Sequence, residues 1–406
     1  MLVVASNWCV SDGTLVHWPA GRLAWLPAAI HRAALRAGFR RDGSYRPIEG
    51  VDLVLAGDTF DWLVSDAWAG SVRPWQGGRA ARDVRRSVAG KTLWMARGVF
   101  GRLIRWLRTG LPVSSADTRG RPDWTAMRPA PFRLTLLAGD RDSWLTDVAP
   151  TTTRHPFSAG LLWSDGRLTV RHGHEFDPDC FVEPGSGVAA TGRPPTIAES
   201  VAVDLVVPFA IRLRAHDATW RSFRPLVRLL ARSRPVDMPG RLAGWATATV
   251  ASGGENRLWR SIVAVWQRSV EEWAEVARRS APSCAAEFDA VEALAAALHG
   301  ALAREPAADW ATLAPRLDPS AGPGTLLLGH RDGAAPPLTG LAHDVDVGET
   351  RLDAVRSDPN PVFIRIDEGG RARWERLETA APGVAVVTID RPRTPCPSGG
   401  RVVDAA

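Results

Sequence analysis

The chain reads as an α/β fold flanked by helices, on three observations. Five hydrophobic runs have the length and composition of buried strands: LVVA (2–5), VDLVLA (51–56), FRLTLLA (132–138), RLTV (167–170) and TLLL (325–328). Each is followed by a short polar block, directly in four cases and after Arg171 in the fourth run. The blocks are Ser6-Asn7-Trp8-Cys9, Gly57-Asp58-Thr59-Phe60-Asp61, Gly139-Asp140-Arg141-Asp142, His172-Gly173-His174 and Gly329-His330-Arg331-Asp332. Between them lie stretches with apolar residues at helical spacing.

Taken in order, residues 1–66 read as strand, loop, helix, strand. Gly21 to Arg36 carries Leu23, Leu26, Ile30 and Leu35 at near-helical spacing, and 51–56 is the next buried strand. Asp12, in Ser-Asp-Gly, reads as a turn residue. Residues 67–130 interrupt the alternation of strand and helix with a Trp- and Arg-rich insertion. Residues 131–180 return to strands, with GLLWS turning at Asp165-Gly166 into RLTVRHG as a hairpin. Residues 181–320 are predicted mainly helical. The clearest helix runs from Glu255 to Arg279, with Trp259, Ile262, Val263, Trp266, Val270 and Trp273 on one face. PVFIRID and RARWERLE, around Gly369-Gly370, read as two terminal strands. Residues 381–406 are rich in Pro and Gly and read as a loose tail. The division is one domain over 1–380, with insertions 67–130 and 181–320 forming a helical cap, and the tail.

Hydrophobic residues make up 45% of the 406 and charged residues 23%, an ordinary globular balance with ample material for a core. The formal charge of +6 comes almost wholly from arginine, Lys91 being the single lysine. That skew reads as a GC-rich, bacterial-like composition. With no RNA- or DNA-binding motif beside it, it does not predict a specific nucleic-acid partner. Cys9, Cys180, Cys284 and Cys396 are widely spaced and form no CxxC, which fits a reducing compartment. The N-terminus enters a strand directly, without the basic region of a signal peptide, so a cytoplasmic location is expected.

Carboxylates and imidazoles on separate loops at the ends of strands point to a metal centre. The order of the blocks resembles the calcineurin-like metallophosphoesterase superfamily, whose pattern is DxH, GDxxD, GNH(D/E), a lone His, then GHxH. The Arg of the third block places the resemblance nearest the branch of UDP-2,3-diacylglucosamine pyrophosphohydrolases, which carry GNRD. The resemblance spans roughly the first 380 residues, with long unmatched stretches between blocks. It implies a two-sheet sandwich flanked by helices and hydrolysis of a phosphoester or pyrophosphate bond with one or two divalent ions (Mn, Fe or Zn). The implied substrate is a phosphorylated small molecule or a lipid precursor. Two ions neutralise the phosphoester charge and activate water for in-line attack.

Carried over position by position, Asp58 corresponds to the residue bridging both ions. Asp140, His172 and His330 correspond to the remaining ligands of one ion, with His174 as the alternative donor to His172. Asn7, Cys9 and Asp332 stand at the private ligand positions of the other, where the family has Asp, His and His. Two readings follow for that change: a re-liganded site with a thiolate favouring a softer ion, or a decayed site in which Cys9 is a small apolar filler and the protein is a non-catalytic binding or interaction scaffold. Asp61 is expected to orient ligands rather than bind an ion. Arg141 stands where a leaving-group acid is found elsewhere in the superfamily. Arginine cannot serve as an acid, but it can clamp a phosphate; otherwise it is an exposed residue paired with Asp142.

Residues 97–108 form a basic amphipathic helix. Advancing ~100° per residue gathers Arg102, Arg105 and Arg108 on one arc and Val99, Phe100, Leu103, Ile104, Trp106 and Leu107 on the opposite one. The functional reading is a peripheral membrane contact through 97–108. The plainer one is a helix packed on the core with a solvated arginine face.

Overall fold

The computed structural model describes residues 1–16, 23–40, 42–152, 157–165, 168–174, 180, 192–215, 217–251, 257–280, 285–303, 325–328, 345–346, 362–366, 372–380 and 383–389. In chain order its elements are β1 (Leu2–Ala5), β2 (Val10–Ser11), α1 (Leu26–Ala37), β3 (Val51–Ala56), β4 (Phe60–Asp61), α2 (Gly78–Met95), α3 (Arg97–Thr109), β5 (Leu111–Ala116), β6 (Pro122–Ala130), β7 (Phe132–Leu137), α4 (Leu145–Thr152), β8 (Ser158–Gly160), β9 (Leu162–Ser164), β10 (Leu168–Arg171), α5 (Ile197–Ser200), α6 (Val207–Arg214), α7 (Asp217–Ala231), α8 (Met238–Ala251), α9 (Arg257–Ser280), α10 (Ala285–Ala303), β11 (Thr325–Leu328), β12 (Val345–Asp346), β13 (Val362–Ile366), β14 (Ala372–Ala380) and β15 (Gly383–Ile389). The fold is mixed α/β.

The larger sheet has the order β15-β14-β13-β1-β3-β7-β8, and a second has the order β12-β11-β10-β9. β1, β3, β7 and β8 run parallel, and β13 to β15 continue the sheet antiparallel. The central strands are mainly hydrophobic because both faces are covered, the exceptions being Asp52, paired with Arg133 across β3 and β7, and Thr135. Val3, Ala5, Leu53, Leu55, Leu134 and Leu136 join the main core with the helices. Leu2, Val4, Val54, Ala56 and Leu137 form a second cluster with Val170 of β10, with Trp163 of β9 packed against it. Side chains alternate along a strand, so one run of six residues supplies both layers.

The sequence-predicted strands all appear, as do the antiparallel pairing of β9 with β10 and that of β13 with β14. Three differences have physical reasons. The first helix begins at Leu26 rather than Gly21, with Pro27 at its start, where a missing N–H costs nothing. Residues 67–130 hold a hairpin, β5–β6, as well as α2 and α3; its outer strand is mostly exposed, so no apolar alternation announced it. GVAVVTI, within the stretch expected to be a loose tail, is β15, paired with β14 from Trp374↔Ile389 to Ala380↔Gly383. Its β-branched run outweighs the Pro and Gly around it.

The helical segment packs on the same core. α9 runs Arg257–Ser280, two residues inside the predicted start, and Ile262, Trp266, Val270 and Trp273 are buried. Val263 is partly buried, and the side chain of Trp259 lies outside the described residues, as do residues 304–320 of the predicted cap. α5 starts with a reciprocal cap, Glu199 N–H to Thr196 Oγ1 at 3.0 Å and Thr196 N–H to Glu199 Oε2 at 3.0 Å. A π-helical turn, Val201–Val206, joins α5 to α6, and Val207 N–H reaches back to Ala202. Pro208 follows, and widening the turn relieves the clash of its ring with the preceding carbonyl. In α3, Val99, Phe100 and Leu103 are buried and Trp106 meets Phe132 of β7 edge-on, while Arg102, Arg105 and Arg108 are exposed. The apolar arc of this helix faces the protein's own core. No helix among the described residues is long and apolar enough to cross a membrane.

Trp266 tests this packing. It is fully buried, donates its indole N–H to the Leu298 carbonyl at 2.8 Å and meets Phe209 edge-on at 5.1 Å. Trp266→Ala is expected to cost about 3–5 kcal/mol, read as a lowered denaturant midpoint.

Candidate metal centre

The parallel register brings the C-terminal ends of β1, β3 and β7 level, with Ala5 opposite Leu55 and Ala56 opposite Leu137. The polar blocks leave from this common edge. Their first residues are small for a reason visible in the packing. Gly57 has φ +84°, and a Cβ there would stand 2.3 Å from the His172 ring. A Cβ on Gly139 would stand 2.2 Å from Asp58 Oδ1. Asn7, Cys9 and Asp58 also have positive φ, at 56°, 47° and 48°, and are the non-glycine residues that do so among those described. Such conformations cost of order 1 kcal/mol or more each and gather where a site demands them. Backbone bonds hold the two loops together: Asn7 N–H to the Gly57 carbonyl at 3.2 Å, Cys9 N–H to the Asp58 carbonyl at 2.8 Å and Val10 N–H to the Thr59 carbonyl at 3.0 Å.

Asp58, Asp140 and His172 converge. All are buried, and a ligand atom of each lies within 4.8 Å of the others. His172 Nδ1 is 2.9 Å from the Ala56 carbonyl, which can only accept, so this nitrogen carries a proton. Nε2 is thereby turned on the carboxylates, 3.1 Å from Asp140 Oδ1 and 3.5 Å from Asp58 Oδ2. Burial works against charge on this ring, but Asp58 and Asp140 outweigh it and raise its pKa well above the ordinary value. Two buried carboxylates and an imidazole, oriented by a backbone carbonyl, are a donor set that can hold a metal ion.

Arg141 and Asp142 divide two tasks. Arg141 donates its backbone N–H to Asp58 Oδ1 at 3.0 Å, and its guanidinium lies 3.9 Å from Asp58 and 3.5 Å from Asp61. It is neither exposed nor paired with Asp142: its side chain is 12% exposed and it faces Asp58 and Asp61. Its Nη1 is buried and makes no hydrogen bond. Burial works against this cation, but Asp61, Cys9, Asp140 and Asp58 together raise its pKa, so it stays charged. Asp142 instead accepts from Gly139 N–H at 2.6 Å and Phe60 N–H at 3.1 Å. Burial first, then the charge of Asp58, push its carboxyl up to about 7 despite those two bonds.

Asp61 lies outside the convergent trio, its pKa raised by burial more than Arg141 lowers it. Cys9 also lies outside it and keeps part of its surface exposed. Desolvation of the thiol, then Asp58, push its pKa well up, against Arg141 and Arg232. His174 stands beside His172, rings 5.4 Å apart, and is not in the trio, so the first His of that block is the one brought in. β11 is the predicted TLLL strand, but His330 and Asp332 lie outside the described residues. Asp12 is a turn residue as expected, accepting from Thr14 N–H at 3.0 Å and, across loops, from Ser65 Oγ at 2.6 Å.

Two contributions escaped the sequence reading. Arg232, just past α7, acts electrostatically on Cys9 and Asp61 from the helical segment; nothing in its local sequence marks it. The loops also interleave polar groups with aromatics that build a floor. Phe60 stacks on Trp62 at 5.3 Å, Trp62 on Trp144 at 5.4 Å, and Trp8 meets Phe100 at 6.4 Å. The alternation of Asp58, Phe60, Asp61, Trp62 and of Asp142, Trp144 was the available signal.

Asp142→Ala would leave two buried amides without acceptors and is expected to cost about 2–5 kcal/mol, measured by chemical denaturation. Gly139→Ala is expected to keep the fold but push Asp58 aside, lowering divalent-ion affinity at least about tenfold in a metal titration.

Comparison with family models, with curated proteins and with solved structures found no match to this chain.

Proposed function

We propose that this chain is a metal-dependent hydrolase of a phosphoester or pyrophosphate bond, built on the two-sheet sandwich of the calcineurin-like metallophosphoesterases. The observation that carries the reading is the buried convergence of Asp58, Asp140 and His172 beside a guanidinium whose Nη1 has no hydrogen-bond acceptor. Asp58, Asp140 and His172 would hold a divalent ion, which when bound polarises a phosphoryl oxygen and lowers the pKa of water. Arg141 then offers donors to the remaining phosphoryl oxygens, fixed in place by Asp58 and Asp61. Its charge stabilises the anion that develops, while its pKa bars it from giving a proton to the leaving group. The Ala56 carbonyl keeps the His172 ring in the ligating orientation. Asp142 holds the Gly139–Arg141 loop against the Phe60 loop, so that the arginine is positioned without reorganisation.

A second reading, a non-catalytic scaffold, is favoured by one observation. Cys9, where the family would place His, is not in the convergent trio, and Asn7 stands where the family would place Asp, so two private ligand positions of the second ion depart from the family's pattern. Metal content and turnover separate the two. Purified protein incubated with manganese is expected to hold one ion per chain and to turn over bis(p-nitrophenyl) phosphate slowly. Asp58→Asn and His172→Ala should abolish both. Arg141→Ala should keep the ion and lose about 10²–10³-fold in turnover. Asn7→Asp, Cys9→His and Asp332→His together should add a second ion. Turnover that survives Asp58→Asn rejects the hydrolase reading; an ion bound without turnover of any phosphoester selects the scaffold.

A further inference from the structure

α2 and α4 enclose a cleft of about 370 Å³ lined, among the described residues, by Arg82, Arg85, Arg86, Asp147 and Val148. Three guanidinium groups face one carboxylate. Among the described residues none of the three forms an ion pair, although Arg79, one turn earlier on α2, is paired with Asp83 at 3.6 Å. Arg85 is half-buried and held by one nitrogen only: Nη1 donates to the Pro74 carbonyl at 2.7 Å and to the Gln76 carbonyl at 3.0 Å. Those two bonds fix the plane of the guanidinium and leave Nε and Nη2 as donors. Arg193, a further neighbour, spends its charge on Glu199. Burial pushes the pKa of Arg85 down, and although Asp147 opposes this, Arg82 and Arg193 add to it. Positive charge has been gathered here beyond what the protein neutralises.

We propose that this cleft is a binding site for a multiply charged phosphate group, held by Arg82, Arg85 and Arg86. A fixed planar donor beside two exposed ones suits a tetrahedral oxyanion with several acceptors, and guanidinium groups match its oxygens in pairs. The cleft volume takes a diphosphate with its water. Val148 closes one wall and Asp147 stands against the anion, so affinity is moderate and falls with salt. The cleft shares no lining residue with the Asp58, Asp140 and His172 trio, and its ligand is either a soluble phosphorylated compound or the headgroup of an anionic lipid.

The test uses the full chain, stripped with EDTA and dialysed free of it, so that metal-mediated phosphate binding does not contribute. Two probes separate the sources: sodium pyrophosphate by titration calorimetry, and sedimentation with vesicles of phosphatidylcholine and phosphatidylglycerol in equal parts. Arg82→Gln with Arg86→Gln, both exposed positions on α2, is expected to weaken binding about tenfold or more. Arg79→Gln, the same charge loss outside the cleft, should change it little. Asp147→Asn should tighten it severalfold and needs no arginine variant to fold. Pyrophosphate binding with this pattern supports a soluble ligand; vesicle binding with this pattern and no pyrophosphate binding supports a lipid headgroup. Absence of binding to both probes overturns the proposal. So does equal weakening by the double variant and Arg79→Gln, or an Asp147→Asn chain that binds no better.

Discussion

The Asp142 carboxylate is fully buried and spends both oxygens on backbone amides, one from the loop that follows β7 and one from the loop that follows β3. The convergence of Asp58, Asp140 and His172 leans on that tie. It sets the distance between the turn carrying Asp58 and the turn carrying Asp140 and Arg141. It also brings Gly139 so close to Asp58 that no side chain fits between them. An acid in this place is costly, because burial and the neighbouring Asp58 favour its neutral form. The chain tolerates that cost because two amides deprived of water would otherwise be unsatisfied at the same spot.

Around this tie the loops are strained in a concerted way. Left-handed conformations at Asn7, Cys9 and Asp58 turn the chain sharply as it leaves β1 and β3. Trp8 is buried between the first two, and Phe60 and Trp62 follow the third. Polar groups that must meet at one point and aromatic groups that must be buried come from the same short segments. The interdigitated floor they form, stacked at 5.3–5.5 Å, gives the polar groups a stiff base.

The strands were legible because burial on both faces leaves continuous apolar runs, and the trio was legible because its blocks sit directly behind those runs. The plainer alternative for Arg141, an exposed residue paired with Asp142, fails for a physical reason. Beside an arginine, a carboxylate in sequence suggests an ion pair, whereas here the arginine turns to Asp58 and Asp61 and the carboxylate turns to the backbone. Proximity along the chain carried no information about direction. Arg232 was invisible because it reaches the site only through tertiary packing. The π-helical turn before Pro208 was likewise hidden, since its pattern, VAVDLVVP, is apolar on every side. The hairpin β5–β6 has an exposed strand with no alternation to read, and β15 lay among prolines and glycines that outvoted its run of β-branched residues.

One pairing bears on how such a chain is made. Strand β1 lies inside the larger sheet, with β3 on one side and β13 on the other, and Leu2 pairs with Ile366. During synthesis β3 follows within seconds, but β13 emerges only after nearly the whole chain, roughly 20–70 s later at ~5–20 residues per second. Through that interval the LVVA edge presents open backbone donors and acceptors flanked by apolar side chains, the arrangement most prone to pairing with a neighbouring molecule. The larger sheet is therefore closed around β1 only by a pairing, Leu2 with Ile366, between positions far apart along the chain, and its completion waits on the strand made last of the two.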